Sequence, residues 1–178
     1  FARAVELSLR IGNVSTVAVA LQNRASLHRA LGQWDRSRAD LDEADAHAAK
    51  LHRVRLDAAL AVERAYLALA IDAAAGDLAA RALDLARRSR SPALLASGLA
   101  VALRASPGDP ALAAEARAHA AAVSDTPESE AELRVALRAA AGDEGEASAA
   151  VERFVRSVGE VDDPGACREM FLRRYLAL

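Results

Sequence analysis

The chain has 178 residues, a formal net charge of −2, 53% hydrophobic residues and only 3% aromatic residues. That length suits one domain with a sizeable core, and the slightly acidic balance lacks the basic surface that a general grip on nucleic acid requires. The single Cys167 excludes an intrachain disulfide and a cysteine metal cluster and fits a reducing, cytoplasmic setting.

Alanine fills the gap left by the scarce aromatics, and alanine is the best helix former because it gives up no side-chain entropy. Helical periodicity starts at once, over 2–11 and 14–31, where Val14, Val17, Ala18, Leu21, Ala25, His28 and Leu31 recur at three and four. Gly32-Gln33-Trp34 then breaks the pattern. Over 34–51 it resumes, with Trp34, Ser37, Leu41, Ala44, Ala48 and Leu51 on one stripe. Further helices are expected over 54–75, 77–89, 92–105, 109–123, 127–141, 143–158 and 164–177. Pro92, Pro110, Pro127 and Pro164 fall at the expected starts, where a missing N–H costs nothing. Gly76-Asp77, Gly108-Asp109 and Gly142-Asp143 occupy the same place as Gly32, with glycine spacings of 44, 32 and 34 residues. Glycine suits a left-handed helix end and the aspartate can cap the next helix. The run from Pro92 to Arg104, the longest apolar one, is too short for a membrane helix of about 20 residues.

About ten antiparallel helices with short links cannot each bury an apolar face alone, but stacked hairpins can. The expectation is a single all-α domain over 1–178, a helical-hairpin solenoid with hairpins at 14–51, 54–89, 92–123 and 127–158 and a terminal helix at 164–177. Trp34, Leu41, Tyr66, Leu99, Phe154 and Phe171 should fill the gaps between alanines. Full burial of Trp34 would make Trp34→Ala cost about 3–5 kcal/mol.

Leu21, Ala25, Gly32, Trp34, Ser37, Leu41 and Ala44 carry a family resemblance: residues 21–44 resemble a tetratricopeptide (TPR) repeat. The sequence departs from that pattern at His28, where the family has an aromatic, and at Ser37, where it has alanine. Gly76, Leu78 and Ala82 echo a second repeat more loosely, and residues 1–11 resemble the last helix of a preceding one, which suggests a piece of a longer array. The stretched spacing is similar to that in repeat domains of large actinobacterial regulators. The resemblance implies a TPR-like superhelix whose first helices line a concave groove. By it, Gln22, Asn23, Ser26 and Arg29, followed by Glu63 and Tyr66, would face a protein or peptide partner. Amides and arginine suit a peptide's backbone and carboxylate groups.

Residue patterns for catalysis are missing. Asp42-Glu43-Ala44-Asp45 looks like a helicase signature, but a nucleotide motor also needs a glycine-rich phosphate loop, and the only lysine, Lys50, follows none. Ala44 sits on the buried stripe, so the tetrapeptide reads as an exposed helix face. His47 and His52 are too far apart for one face, and HExxH and GxSxG are absent. His28, His119 and Cys167 read as packing residues, and the acidic stretch from Asp125 to Glu132 as a solvated turn and helix start. Arg87, Arg88 and Arg90 read as compensation of a helix dipole.

The expected function is therefore a non-catalytic protein-interaction scaffold without cofactor or metal. It should bind neither nucleic acid directly nor a membrane, and the open ends of the array leave a homodimer available. The alternative is a ligand-sensing or regulatory domain of a bacterial transcriptional activator.

Overall fold

The computed structural model describes residues 2–71, 73–141, 144–159 and 163–176, and these form an all-helical fold. In chain order the helices are α1 (Ala2–Arg10), α2 (Val14–Ala30), α3 (Trp34–Ala48), α4 (Val54–Ala70), α5 (Gly76–Ser89), α6 (Pro92–Ala105), α7 (Pro110–Ala122), α8 (Pro127–Ala141), α9 (Glu144–Ser157) and α10 (Pro164–Leu176). The chain contains no strand among the described residues.

Local chemistry explains most boundaries. Asn13 accepts a hydrogen bond from the Thr16 amide, Ser91 from Leu94, Asp109 from Ala111 and Leu112, and Asp163 from Ala166, so these four helix starts have side-chain caps. Pro92, Pro110, Pro127 and Pro164 open helices as expected. After α2, Gly32 takes a left-handed φ of +72° and the Gln33 amide reaches back to the His28 carbonyl, closing the helix end.

Two boundaries differ from expectation. Helix α4 stops at Ala70, not 75, and the Ala73 amide bonds the Ala68 carbonyl to close it. Gly76 is therefore the first residue of α5 and not a left-handed stop. The alanine-rich stretch around it carries no local stop signal, so the turn is set by packing. Helix α3 ends at Ala48, three residues early, and His52 takes a positive φ of 48° on the way into α4. The expected Gly142-Asp143 turn lies outside the described residues.

The hairpins stack. Helices α2, α4, α6 and α8 pack in succession as an inner layer, and α3, α5, α7 and α9 each pack on neighbouring inner helices. This is the expected architecture of stacked helical hairpins. Alanines set the close approach: Ala18, Ala25, Ala44, Ala58, Ala96 and Ala100 are fully buried at helix contacts. Leu21, Leu41 and Leu60 fill one core region. Leu99, Leu103, Leu133 and Leu137 fill a second. Tyr66, Val101, Val151, Phe171 and Tyr175 fill a third. Trp34 is only partly buried, lying against the first region with its ring edge 3.8 Å from where a Cβ on Gly32 would stand. It braces the turn and does not fill the core. Phe154 is likewise partly buried.

Helix α10 breaks the alternation. It packs not only on α9 but also on α8 and, across the array, on α2. It therefore lies against the inner layer where the repeat resemblance places a groove.

Candidate functional site: an inner groove holding the last helix

Helix α2 presents Gln22, Ser26 and Arg29 along one stripe, at steps of four and three, and α4 presents Glu63 and Tyr66. The structure brings these residues together. Arg29 is 1% exposed and its Nη2 donates to Glu63 Oε2 at 3.1 Å. Its guanidinium also lies over the Tyr66 ring, 4.7 Å from the centroid. Asn23 is half-buried on the same helix and takes no part in this network among the described residues.

The last turn of α10 occupies the space in front of them. Arg29 Nη1 donates to the Arg174 carbonyl, and Arg104 Nη1, from α6, donates to the Tyr175 carbonyl. Two arginines of the inner layer thus cap the carbonyl end of α10, satisfying groups that a helix leaves open and complementing its dipole. Arg174 Nε donates to Ser26 Oγ at 3.0 Å, and its Nη1 donates to Glu128 Oε1 at 2.9 Å. Tyr175 donates its hydroxyl to the same Glu128 oxygen at 2.7 Å. The Tyr175 ring meets Tyr66 edge-on at 5.8 Å between centroids, and Phe171 stands 4.7 Å from both Tyr175 and Phe154.

Beneath Tyr175, Tyr66 donates to Glu132 Oε1 and Ser97 Oγ donates to Glu132 Oε2 at 2.8 Å. Burial pushes the Glu132 carboxyl up to about 7, while the hydrogen bonds from Tyr66 and Ser97 pull the other way. Burial also raises Tyr66 and Tyr175 well above the usual phenol range and lowers Arg104. For Arg174 burial opposes the charge, but Tyr175, Glu63, Glu128 and Glu132 together outweigh it and raise its pKa.

The repeat resemblance named Ser26, Arg29, Glu63 and Tyr66, which the structure brings together, and did not name Ser97, Arg104, Glu128, Glu132, Arg174 and Tyr175, which lie with them. One local signal was present: Glu128 and Glu132 are four apart on α8 and so share a face. The expectation that the acidic stretch is solvated is corrected at its end, where Glu130 and Glu132 are buried. Glu130 there accepts from Arg153 at 2.6 Å.

The remaining candidates have structural partners. Asp42 and Asp45 both pair with Arg64, and Ala44 is buried as the stripe predicted. His28 donates from Nδ1 to Gln33, and His119 donates from Nε2 to the Pro92 carbonyl at 2.8 Å. Cys167 is partly buried against the third core region. Arg87 bonds Glu115 on α7 at 2.6 Å, Arg88 lies 3.6 Å from Asp84, and Arg90 is the left-handed cap of α5. Among the described residues no group of three or more histidine, cysteine, aspartate or glutamate side chains could hold a metal ion. Nor, among them, is any helix long and apolar enough to cross a membrane.

Part of the groove remains open. A cleft of about 220 Å³ beside α10 is lined by Glu63, Tyr66, Glu128, Glu132, Arg174 and Tyr175. It adjoins a larger trough of about 640 Å³, lined by Val19, Val54, Leu56 and Leu94, and the two share Gln22, Ala59, Ala93 and Leu94. Comparisons with protein-family models, with curated proteins and with solved structures return no match.

Proposed function

We propose that this chain is a non-catalytic protein-interaction scaffold of the TPR-like kind, working in a reducing compartment and docking a partner segment along its inner groove. The observation that carries this reading is the seating of α10: the groove already holds a helix, through arginines that donate to its backbone carbonyls and a floor of tyrosines. Backbone recognition tolerates many sequences, while Ser26 and Glu128 select the side chains. The trough beside α10 gives a partner apolar surface, with Val19 exposed within it. Glu132, the one carboxyl here raised to about 7, has both oxygens engaged by Tyr66 and Ser97, which supports a structural role for it.

The test is site-specific photo-crosslinking in cell extract, with the photoreactive residue at Gln22, which lines both openings, or at Glu43, on the exposed side of α3. A protein trapped at position 22 and not at 43 is the expected result. The same background at both positions would remove the groove from consideration.

The cleft of about 220 Å³ favours a second reading, a sensor for a small polar ligand within a regulatory protein. Native mass spectrometry of chain purified from its source would show a retained small molecule, and an empty chain would count against the sensor.

A further inference from the structure

We propose that α10 is an exchangeable occupant of this groove, and that the partner the groove fits is a helix whose last turn carries an aromatic residue, an arginine and a tyrosine at the spacing of Phe171, Arg174 and Tyr175. This rests on the interaction reading above and names the chemistry of the partner.

Three features separate α10 from the helices that build the array. First, its attachment is concentrated in its last turns, with only Cys167 against the core and an exposed Arg168–Glu152 pair at 3.3 Å holding its first half among the described residues. Residues 163–166 and 168–170 are exposed, and the buried side chains of α10 are Phe171 and Tyr175 among those described. Second, two of the three core regions contain no residue of α10, so the stacked hairpins have most of their core without it. Third, what holds its end is a set of contacts that another helix can reproduce. Arg29 and Arg104 take main-chain carbonyls, which every helix C-terminus offers. Ser26 and Glu128 read a guanidinium and a phenol. Tyr66 and Phe154 offer the faces and edges against which two aromatic rings settle.

The occupied site is also not sealed. The trough of about 640 Å³ runs into the cleft beside Tyr175, and the two share Gln22, Ala59, Ala93 and Leu94. An incoming helix can therefore contact the groove before α10 has left. Such stepwise exchange needs no opening of the inner layer. The resident helix then sets a threshold: a partner's apparent affinity is lowered by the fraction of molecules in which α10 is seated. A weak match stays out, and a helix with the right last turn displaces it.

The experiment uses the full chain and a peptide of residues 163–178 carrying Cys167→Ser and an N-terminal fluorophore. Fluorescence anisotropy compares wild type with a Phe171→Ala, Arg174→Ala chain, in which the resident helix has lost its ring and its guanidinium. The expected result is at least ten-fold tighter binding to the double variant, abolished when the peptide carries the same two substitutions. Equal affinity for both chains, or no binding to a double variant whose circular dichroism remains helical, would overturn the proposal and make α10 a fixed cap. Should the double variant unfold, wild type alone decides. Excess unlabelled peptide should accelerate hydrogen exchange in residues 164–176 of the chain, and unchanged exchange overturns the proposal. A crosslinked partner at position 22 with no exchange of α10 would sink this mechanism while leaving the interaction reading standing.

Discussion

Glu63 and Glu132 show how differently two buried carboxylates can be held in one groove. Glu63 faces Arg29, a guanidinium as buried as itself, so removing the carboxylate leaves an uncompensated charge. Glu63→Ala should destabilise the fold by about 3–5 kcal/mol in chemical denaturation, as buried pairs do when one partner is lost. A loss below about 1 kcal/mol would mean that the Arg174 carbonyl alone satisfies Arg29. Glu132 has hydroxyl donors instead of a bonded cation, and burial raises it from 4.5 to about 7. A carboxyl raised on folding favours the folded state while protonated. Its contribution is fully present below pH 4.5, declines as pH rises, and is gone above pH 7. Glu132→Gln keeps the side-chain shape without the charge. The variant's stability relative to wild type should therefore rise between pH 5 and pH 7.5, by an amount on the order of 3 kcal/mol. Parallel curves for the two proteins over that range would show that Glu132 titrates normally. The groups facing it, Tyr66, Ser97, Arg174 and Glu128, are the same in both proteins, so the difference isolates position 132. Ser37, the departure from the repeat pattern, also has a reason at this scale: its hydroxyl donates to the Ala25 carbonyl at 2.9 Å, tying α3 to α2 where alanine would only pack.

At the scale of elements, α5 and α6 approach each other closely at Gly98. A Cβ on Gly98 would stand 2.7 Å from the Ala86 Cβ and 3.3 Å from the Leu83 Cα, neither of which can swing away. Gly98→Ala gains about 1 kcal/mol of helix propensity but forces the two helices apart, and overpacking of this kind costs about 1–3 kcal/mol. The expected net effect is a lower melting temperature, and a raised one would mean that α5 yields. Trp34→Ala should cost nearer 2 kcal/mol than the range for a fully buried tryptophan, because the ring is a brace over the Gly32 turn. The helices were legible in the sequence because their signals are local: apolar steps of three and four, prolines at starts, and Gly32 at a stop. The end of α4 was not, because Ala70 to Ala75 offers no breaker and the Ala73 to Ala68 bond forms only once the chain has turned. The site divides the same way. Arg29 and Glu63 were named by the resemblance to a repeat helix. The contact of Ser26 with Arg174 joins residues 148 apart, and that of Arg104 with Tyr175 joins residues 71 apart, distances at which periodicity says nothing.

For the whole molecule, the seating of α10 joins the two ends of the inner layer, since the same helix touches α2 and α8. A hairpin array is otherwise held by neighbour contacts, so stability spreads along it and each end is free to move. Arg174 changes that by bonding Ser26 and Glu128 at once, drawing the first and last inner helices to a shared strut. Yet the strut is shallow. Helix α6 buries Leu99, Ala100, Val101 and Leu103 completely, whereas α10 buries Phe171 and Tyr175 and leaves most of its first half in water. Local opening follows such differences in buried apolar contact. Hydrogen exchange should therefore show α10 opening through a fluctuation cheaper than global unfolding, with amides at 168–176 exchanging faster than those at 96–104. Loss of the strut should then pass to α2, whose Arg29 would give up the Arg174 carbonyl while keeping Glu63. Arg174→Ala should accordingly raise exchange in α10 most, in α2 next and in α6 least. Equal protection of α10 and α6 in wild type would make the last helix a full member of the core, and the groove would then be an interior rather than a site.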